Sequence, residues 1–373
     1  MSNFPDQLKN RIPIISLFSG CGGLDLGFAQ AGFRTVVALD INPVAVKTFN
    51  QNYNTVAKGH IDTELAGSPS IAKVSDLSRE NGNEVLQRIE AMHFEFPVRG
   101  VIGGSPCQTF SHSNVRSNGD DIRHSLPGTY AAILKVLNEA LSLDFFVFEN
   151  VRGITFQKHS KEFALFKGQF EDAGFRLFEG LLDARNYNVA QKRPRVFVVG
   201  WNKDRYNYWD YLFPRPSDNA SPSVRDAIGE LPEPVYFQRG LTPADIPHHP
   251  NHWTMRPKSR KFEDGNLMPG QNKGRSFRVL SWDEPSWAVA YGNREIHIHP
   301  SGKRRLSVYE AMLLQGFPRQ GYQLLGTLSD QIRQVSDAVP PPLARALAES
   351  VMAFLESGGR SGTPRLQQPF SYE

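Results

Sequence analysis

Short β-branched and apolar runs recur along the first half of the chain, each closing on a glycine or an acid. Those at residues 13–18, 34–39, 98–102, 144–149, 175–182 and 196–200 read as strands. Between them lie helical patterns: 24–31 closed by Gly32, one opened by Pro43, then 130–141 and 162–173. Strands alternating with helices predict an α/β domain with a mostly parallel sheet. After Gly200 the texture changes, and residues 201–300 are rich in Pro, Trp, His and Asn with few clean periods. From Lys303 the pattern is helical again, with Ser307 and Glu310 at capping-box spacing. An amphipathic helix is predicted over 343–355, and the Gly/Ser/Pro/Gln-rich tail from Gly358 is predicted to fray.

Composition narrows the class. A chain of 373 residues, 40% hydrophobic and 21% charged, suits one large globular domain or two unequal ones. No apolar run approaches the roughly 18–20 residues that cross a bilayer. Residues 1–11 are polar, so no secretory signal is expected. Two cysteines, Cys21 and Cys107, argue against a disulfide framework and fit a reducing cytoplasm. The histidines of 248–252 are irregularly spaced and lack cysteine partners, so no metal site is expected. A net charge of +4 permits a nucleic-acid partner.

Candidate chemistry gathers at the strand ends. Gly103-Gly104-Ser105-Pro106-Cys107-Gln108 follows an apolar run, and Pro106 stiffens the turn that presents Cys107. A thiol on a rigid loop at a strand end suits a nucleophile, although this stretch alone favours a small core cysteine. The turn Ser19-Gly20-Cys21-Gly22-Gly23 lies between a strand and a helix. Asp40 follows about 20 residues later, where an acid can take ribose hydroxyls. The dinucleotide fingerprint is not met, because Asp25 stands in place of its third glycine. Glu149-Asn150-Val151 ends one strand and Gln191-Lys192-Arg193-Pro194-Arg195 opens another. In an α/β sheet these ends and Cys107 share a rim beside the nucleoside pocket. Thiol, carboxyl and guanidinium together suit addition to an electron-poor heterocycle such as cytosine. Farther on, Arg256, Lys258, Arg260, Lys261, Lys273, Arg275 and Arg278 interleave with aromatics. That suits a phosphate-contacting surface, or a solvated loop-rich face.

These segments, in this order, resemble the C5-cytosine DNA methyltransferases of bacterial modification systems. Phe18 to Leu24 resembles the family's S-adenosylmethionine loop, Asp40 its ribose acid, and Asp76 the acid that meets the adenine amino group. Gly104 to Gln108 resembles the Pro-Cys-Gln motif, Glu149 to Val151 the Glu-Asn-Val motif, and Gln191 to Arg195 the Gln-x-Arg-x-Arg motif. Arg304 to Pro318 resembles the ninth motif. The resemblance covers about residues 12–350. It implies a Rossmann-like methyltransferase sheet over 1–200 completed by 325–357, a smaller irregular target-recognition domain over 201–324, and a tail over 358–373. Its implied catalytic residues are Cys107, Glu149, Arg193 and Arg195. Cofactor contacts are implied for Phe18, Gly20, Gly22, Gly23, Leu24, Asp40, Ile41, Asp76, Leu126, Asp337 and Ala338. Substrate contacts fall to Pro106, Gln108, Ser111, Asn150, Arg256, Lys258 and Arg275.

The implied partner is double-stranded DNA, with the target cytosine flipped from the stack. Cys107 then adds to C6, Glu149 holds N3 and Arg195 holds O2, while Arg193 supports Glu149 or the adduct. The implied cofactor is S-adenosylmethionine, without a metal. A cytoplasmic monomer paired with a restriction or defence nuclease is expected. Two departures stand out. Ser336-Asp337 replaces the family's usual Gly-Asn, which favours the cofactor's amino group and repels its carboxylate. In the loop after Cys107, Asn114 and His124 stand where glycines are common. Competing readings are a tRNA-cytosine methyltransferase of the same fold and a catalytically dead scaffold. The intact Cys107 and Glu149 weigh against the second.

Overall fold

The computed structural model describes residues 11–52, 71–91, 97–105, 126–206, 210–271, 277–288 and 297–359. Cys107, with Pro106, Gln108, Ser111 and Arg275, lies outside the described residues, as do Asn114 and His124.

The first unit is β1 (Ile12–Leu17), α1 (Gly23–Gln30) and β2 (Phe33–Asp40). Helix α2 (Pro43–Gln51) follows, capped by the Asn42 side chain, which accepts from Val44 and Ala45 N–H groups. Next come β3 (Ala72–Val74), α3 (Gly82–Glu90), β4 (Gly100–Gly103), α4 (Leu126–Leu141) and β5 (Phe145–Val151). Then α5 (Ser160–Asp172), β6 (Phe175–Asp183), the short β7 (Gln191–Lys192) and β8 (Pro194–Asn202) complete this half. Seven strands form one sheet in the order β3-β2-β1-β4-β5-β8-β6. The junctions among β3, β2, β1, β4 and β5 are parallel, whereas β8 runs antiparallel to both β5 and β6.

That reversal positions the site. Parallel strands deliver their C-terminal ends to one rim, and an antiparallel strand delivers its start there, so Val151 pairs with Arg195. The period of two then sorts the side chains. Phe146 and Phe148 join α3, α4 and α5 in one core cluster, with Tyr130, Leu134 and Phe170. Phe145 and Val147, with Phe197 and Val199 of β8, face a second core. Glu149 continues the Phe145–Val147 series and Arg195 the Phe197–Val199 series, so both project from this second face. Strand β2 is buried along nearly its whole length, as a strand covered on both sides must be.

The second half begins with α6 (Val224–Ile228) and three two-residue strands, β9 (Val235–Tyr236), β10 (Trp253–Thr254) and β11 (Ser286–Trp287). Three helices follow: α7 (Val308–Leu314), α8 (Leu328–Asp337) and α9 (Pro341–Glu356). The helical pattern read from Lys303 begins only at Val308, because Ser307 and Glu310 form the capping box there. Helix α9 returns to the sheet and packs on α1. Gly27 allows the approach, since a Cβ there would sit 2.4 Å from that of Ala344. Val224, Ile228, Leu306, Met312 and Phe317 share one apolar cluster with Cys21, Leu26 and Phe49. Leu267, Val279 and Ile298 form a separate small core. No helix among the described residues is long and apolar enough to cross a membrane.

Candidate active site

A cleft opens at the rim where β1, β2, β4 and β5 end and β8 begins. Its floor is the turn after β1. Phe18, Gly20 and Gly22 all have positive φ (53°, 54° and 90°), which folds the chain back before α1. Glycine bears this readily, whereas Phe18 adopts it at a cost in strain. The Asp40 carboxylate ties the turn to β2, accepting from the N–H groups of Gly20 and Asn42 at 2.8 Å each. Each oxygen keeps a lone pair for a hydroxyl donor. Ile41 is 55% exposed and lines the cleft beside Asp40, an apolar lip with room for a flat ring. The far wall is residues 333–339, at the end of α8. Gly23 meets that wall so closely that a Cβ would lie 2.5 Å from the Val339 oxygen.

At the other end of the cleft Arg195 Nε lies 2.9 Å from Glu149 Oε1, each side chain 13% exposed. Burial pushes the Glu149 carboxyl above its ordinary value, while Arg195 and Arg193 pull it back down. Asp40 is shifted upward too, burial being the first cause. Asp337 lines the same cleft, and its charge raises the carboxyls of both Glu149 and Asp40. Gly104 and Ser105, the root of the cysteine loop, line the cleft next to Glu149. Asn150 supports that root from behind, donating to the Ser105 carbonyl at 3.4 Å while its own oxygen accepts from Val151.

Of the residues expected at the cofactor, Phe18, Gly20, Gly23, Leu24, Asp40, Ile41, Asp337 and Ala338 line the cleft. Gly22 stands just behind as the N-cap of α1. Asp76 and Leu126 are not among the lining residues. The Asp76 carboxylate accepts from Ser78 and pairs with Arg79 at 3.2 Å, closing its own turn. Leu126 is buried at the start of α4. The Arg193 guanidinium, 1% exposed, donates to the Ser336 and Ala338 carbonyls on the far wall of the cleft. Arg256 and Lys258 are exposed far along the chain, Arg256 stacking 4.8 Å over Tyr236.

Several cleft residues escaped the sequence reading. Arg333 stands one helical turn before Asp337 and pairs with it at 3.4 Å. Its signal was the Thr327–Asp330 capping box that opens α8. Asp25 is fully buried under the cleft, accepting from Ser16 Oγ at 3.0 Å and Thr35 Oγ1 at 2.8 Å, and burial raises its pKa to about 6. Among the described residues no His, Cys, Asp and Glu group could hold a metal ion.

A glycine turn, an acid at the end of the second strand and a carboxyl–guanidinium pair on the same rim define an α/β enzyme that acts beside a bound nucleoside. The chain belongs to the C-5 cytosine-specific DNA methylase family, which it matches over residues 12–353. It is 32% identical over 368 residues to the type II methyltransferase M.MthTI of Methanothermobacter thermautotrophicus, covering 92% of this chain and 98% of that one. To M.FnuDI of Fusobacterium nucleatum it is 30% identical, covering 92% and 94%. Its fold matches a solved structure from E. coli described as a prophage-encoded DNA modification methyltransferase. There the TM-score is 0.71 at 22% identity, covering 92% of this chain and 99% of that one.

Proposed function

We propose that this DNA (cytosine-5)-methyltransferase works through a covalent adduct between Cys107 and C6 of a flipped cytosine. The observation that carries the reading is the buried Glu149–Arg195 pair at the root of the Cys107 loop, at the end of a cleft whose opposite end is Asp40. The cleft residues fit S-adenosylmethionine: Asp40 for the ribose, Ile41 for the adenine face, and the 336–338 wall for the amino-acid end. When bound there, it supplies an electrophilic methyl group.

The residues divide the remaining work. Cys107 adds as a thiolate to C6, forming the S–C6 bond and moving the ring electrons towards C5 and N3. Glu149, its carboxyl raised by burial, holds a proton at N3. Arg195 swings from Glu149 to O2 and offsets charge there. Once C5 carries the methyl group, its hydrogen leaves as a proton to solvent water, and the C5–H electron pair re-forms the C5–C6 double bond as the S–C6 bond breaks and Cys107 departs as thiolate. Arg193 belongs to the cofactor side of this division. Residues 201–324 are read as the target-recognition domain, with Arg256, Lys258 and Arg275 towards DNA. Modification opposite a restriction or defence nuclease is the role that the type II relatives suggest.

The test is transfer of labelled methyl from S-adenosylmethionine to unmethylated DNA and to tRNA, with Cys107→Ser in parallel. Label in DNA that disappears with Cys107→Ser is expected, and bisulfite mapping then gives the site. Label confined to tRNA would replace the substrate, and no label in either would favour a scaffold.

A further inference from the structure

The Arg193 guanidinium does not end its reach in the base pocket. Its Nη2 donates to two main-chain oxygens at the end of α8, Ser336 and, at 2.8 Å, Ala338. Gln315, after α7, reaches the same segment from another side. Its Nε2 donates to the Val335 and Ala338 oxygens at 2.8 and 2.7 Å. Both side chains are buried, Arg193 at 1% and Gln315 at 0% exposure. The carbonyls they hold are those left over where α8 stops, and a cation suits that end of the helix dipole. Directly opposite, Gly23 leaves the same wall no slack, because Val339 O would lie 2.5 Å from a Cβ there. Arg193, just before β8, and Gln315, just after α7, thus hold the wall by hydrogen bonds, and Gly23 abuts it. The Arg193 charge also acts in the other direction, pulling down the carboxyls of both Glu149 and Asp337.

We infer that Arg193 is a positioning residue that, together with Gln315, sets the cofactor wall of the cleft. The inference rests on reading the cleft as the S-adenosylmethionine site. The hydrogen-bonding fork fixes the wall. A lysine keeps the charge and loses the fork. Gln315→Met keeps the volume and loses the donor while leaving the Arg193 charge in place.

The experiment measures S-adenosylhomocysteine binding by calorimetry and the pH profile of methyl transfer to DNA for the wild type, R193K, R193M and Q315M. R193K and Q315M are expected to weaken S-adenosylhomocysteine binding about tenfold, with the pH at which activity is lost on the alkaline side unchanged. R193M is expected to weaken binding similarly and to move that alkaline limb to higher pH, since Glu149 loses a positive neighbour. If R193M does not fold, R193K and Q315M still decide the inference. Wild-type affinity in folded R193K and Q315M would overturn the inference, and if kcat fell alone Arg193 would return to the base. A wild type that binds no S-adenosylhomocysteine would instead overturn the reading of the cleft, whatever the variants did.

Discussion

Gly104 lies against Glu149 so closely that a Cβ on it would sit 2.6 Å from the Glu149 main-chain oxygen and 2.7 Å from its Oε2. Those atoms are the acid and the strand that carries it, and β4 and β5 pair up to Gly103 and Phe148 just below. Gly104→Ala must therefore push Glu149 away from Arg195 or lift the root of the Cys107 loop. Misplacement of about 1 Å at a reacting centre costs about 100-fold in rate. We expect methyl transfer to fall by about that factor, with S-adenosylhomocysteine affinity near wild type because the glycine turn and Asp40 are untouched. Equal activity in Gly104→Ala would mean that the contact is relieved without moving the acid.

Asp337 raises the carboxyls of both Glu149 and Asp40 through its charge. Replacing it by asparagine removes that effect, so both acids titrate lower. If protonated Glu149 is the active form, the alkaline limb of the pH–rate profile moves to lower pH in Asp337→Asn, the reverse of R193M. The 3.4 Å pair between Arg333 and Asp337 is lost in the same variant. A profile recorded at saturating DNA and cofactor checks the shift, and a limb that stays in place or rises would contradict it.

Asp25 gives a stability effect with a definite sign. Its folded pKa of about 6 lies above the ordinary 3.8, because it is buried between the hydroxyls of Ser16 and Thr35. The folded state thus binds the proton more tightly. Stability from this group is fully present below the unfolded pKa and is lost as pH rises from about 4 to about 6. The rise corresponds to about 3 kcal/mol. Asn at this position cannot ionise, so the stability of Asp25→Asn relative to wild type should grow by about 1–2 kcal/mol between about pH 5 and pH 8. Denaturant melts at the two pH values read this difference, and a constant offset would mean that Asp25 does not titrate in this range.

Much of the cleft was legible before any coordinates, and the reason is local. Glycines at a strand end, an acid at the next one and Glu-Asn-Val at a third are written in short stretches whose chemistry does not depend on distant residues. The direction of β8 was not legible, because antiparallel and parallel buried strands carry the same apolar run. Yet that direction brings Arg195 to the rim. Nor could the Arg193 contacts be read, since Ser336 and Ala338 offer main-chain oxygens, which have no sequence signature. At Asp76 the structure adds what a motif position cannot show, local bonds to Ser78 and Arg79.

The histidine-rich stretch His248–His252, with no metal expected from its spacing, acts as a junction. His249 stacks on Tyr309 at 4.0 Å, and its Nε2 bonds the Tyr322 carbonyl while Nδ1 accepts from the Asn251 N–H at 3.1 Å. A carbonyl can only accept and an N–H can only donate, so the ring must carry its proton on Nε2 and remain neutral. Asn251 in turn grips Leu324 through both side-chain atoms. Burial accordingly lowers the His249 pKa to about 4. Protonating Nδ1 would break the Asn251 bond and set a charge beside the Tyr309 ring in a buried place. Here the unfolded state binds the proton more tightly, so stability is complete above the ordinary histidine pKa of 6.5 and falls as pH drops towards about 4. His297 and His299 are lowered to about 4 as well and add to the same slope. His249→Asn should cost about 1–3 kcal/mol at neutral pH through its lost partners and should flatten the acid-side fall in melting temperature. Thermal melts from about pH 7.5 to pH 5 on both proteins make the comparison. An unchanged acid slope in His249→Asn would place the sensitivity in His297 and His299 instead, beside Arg278 and Arg304.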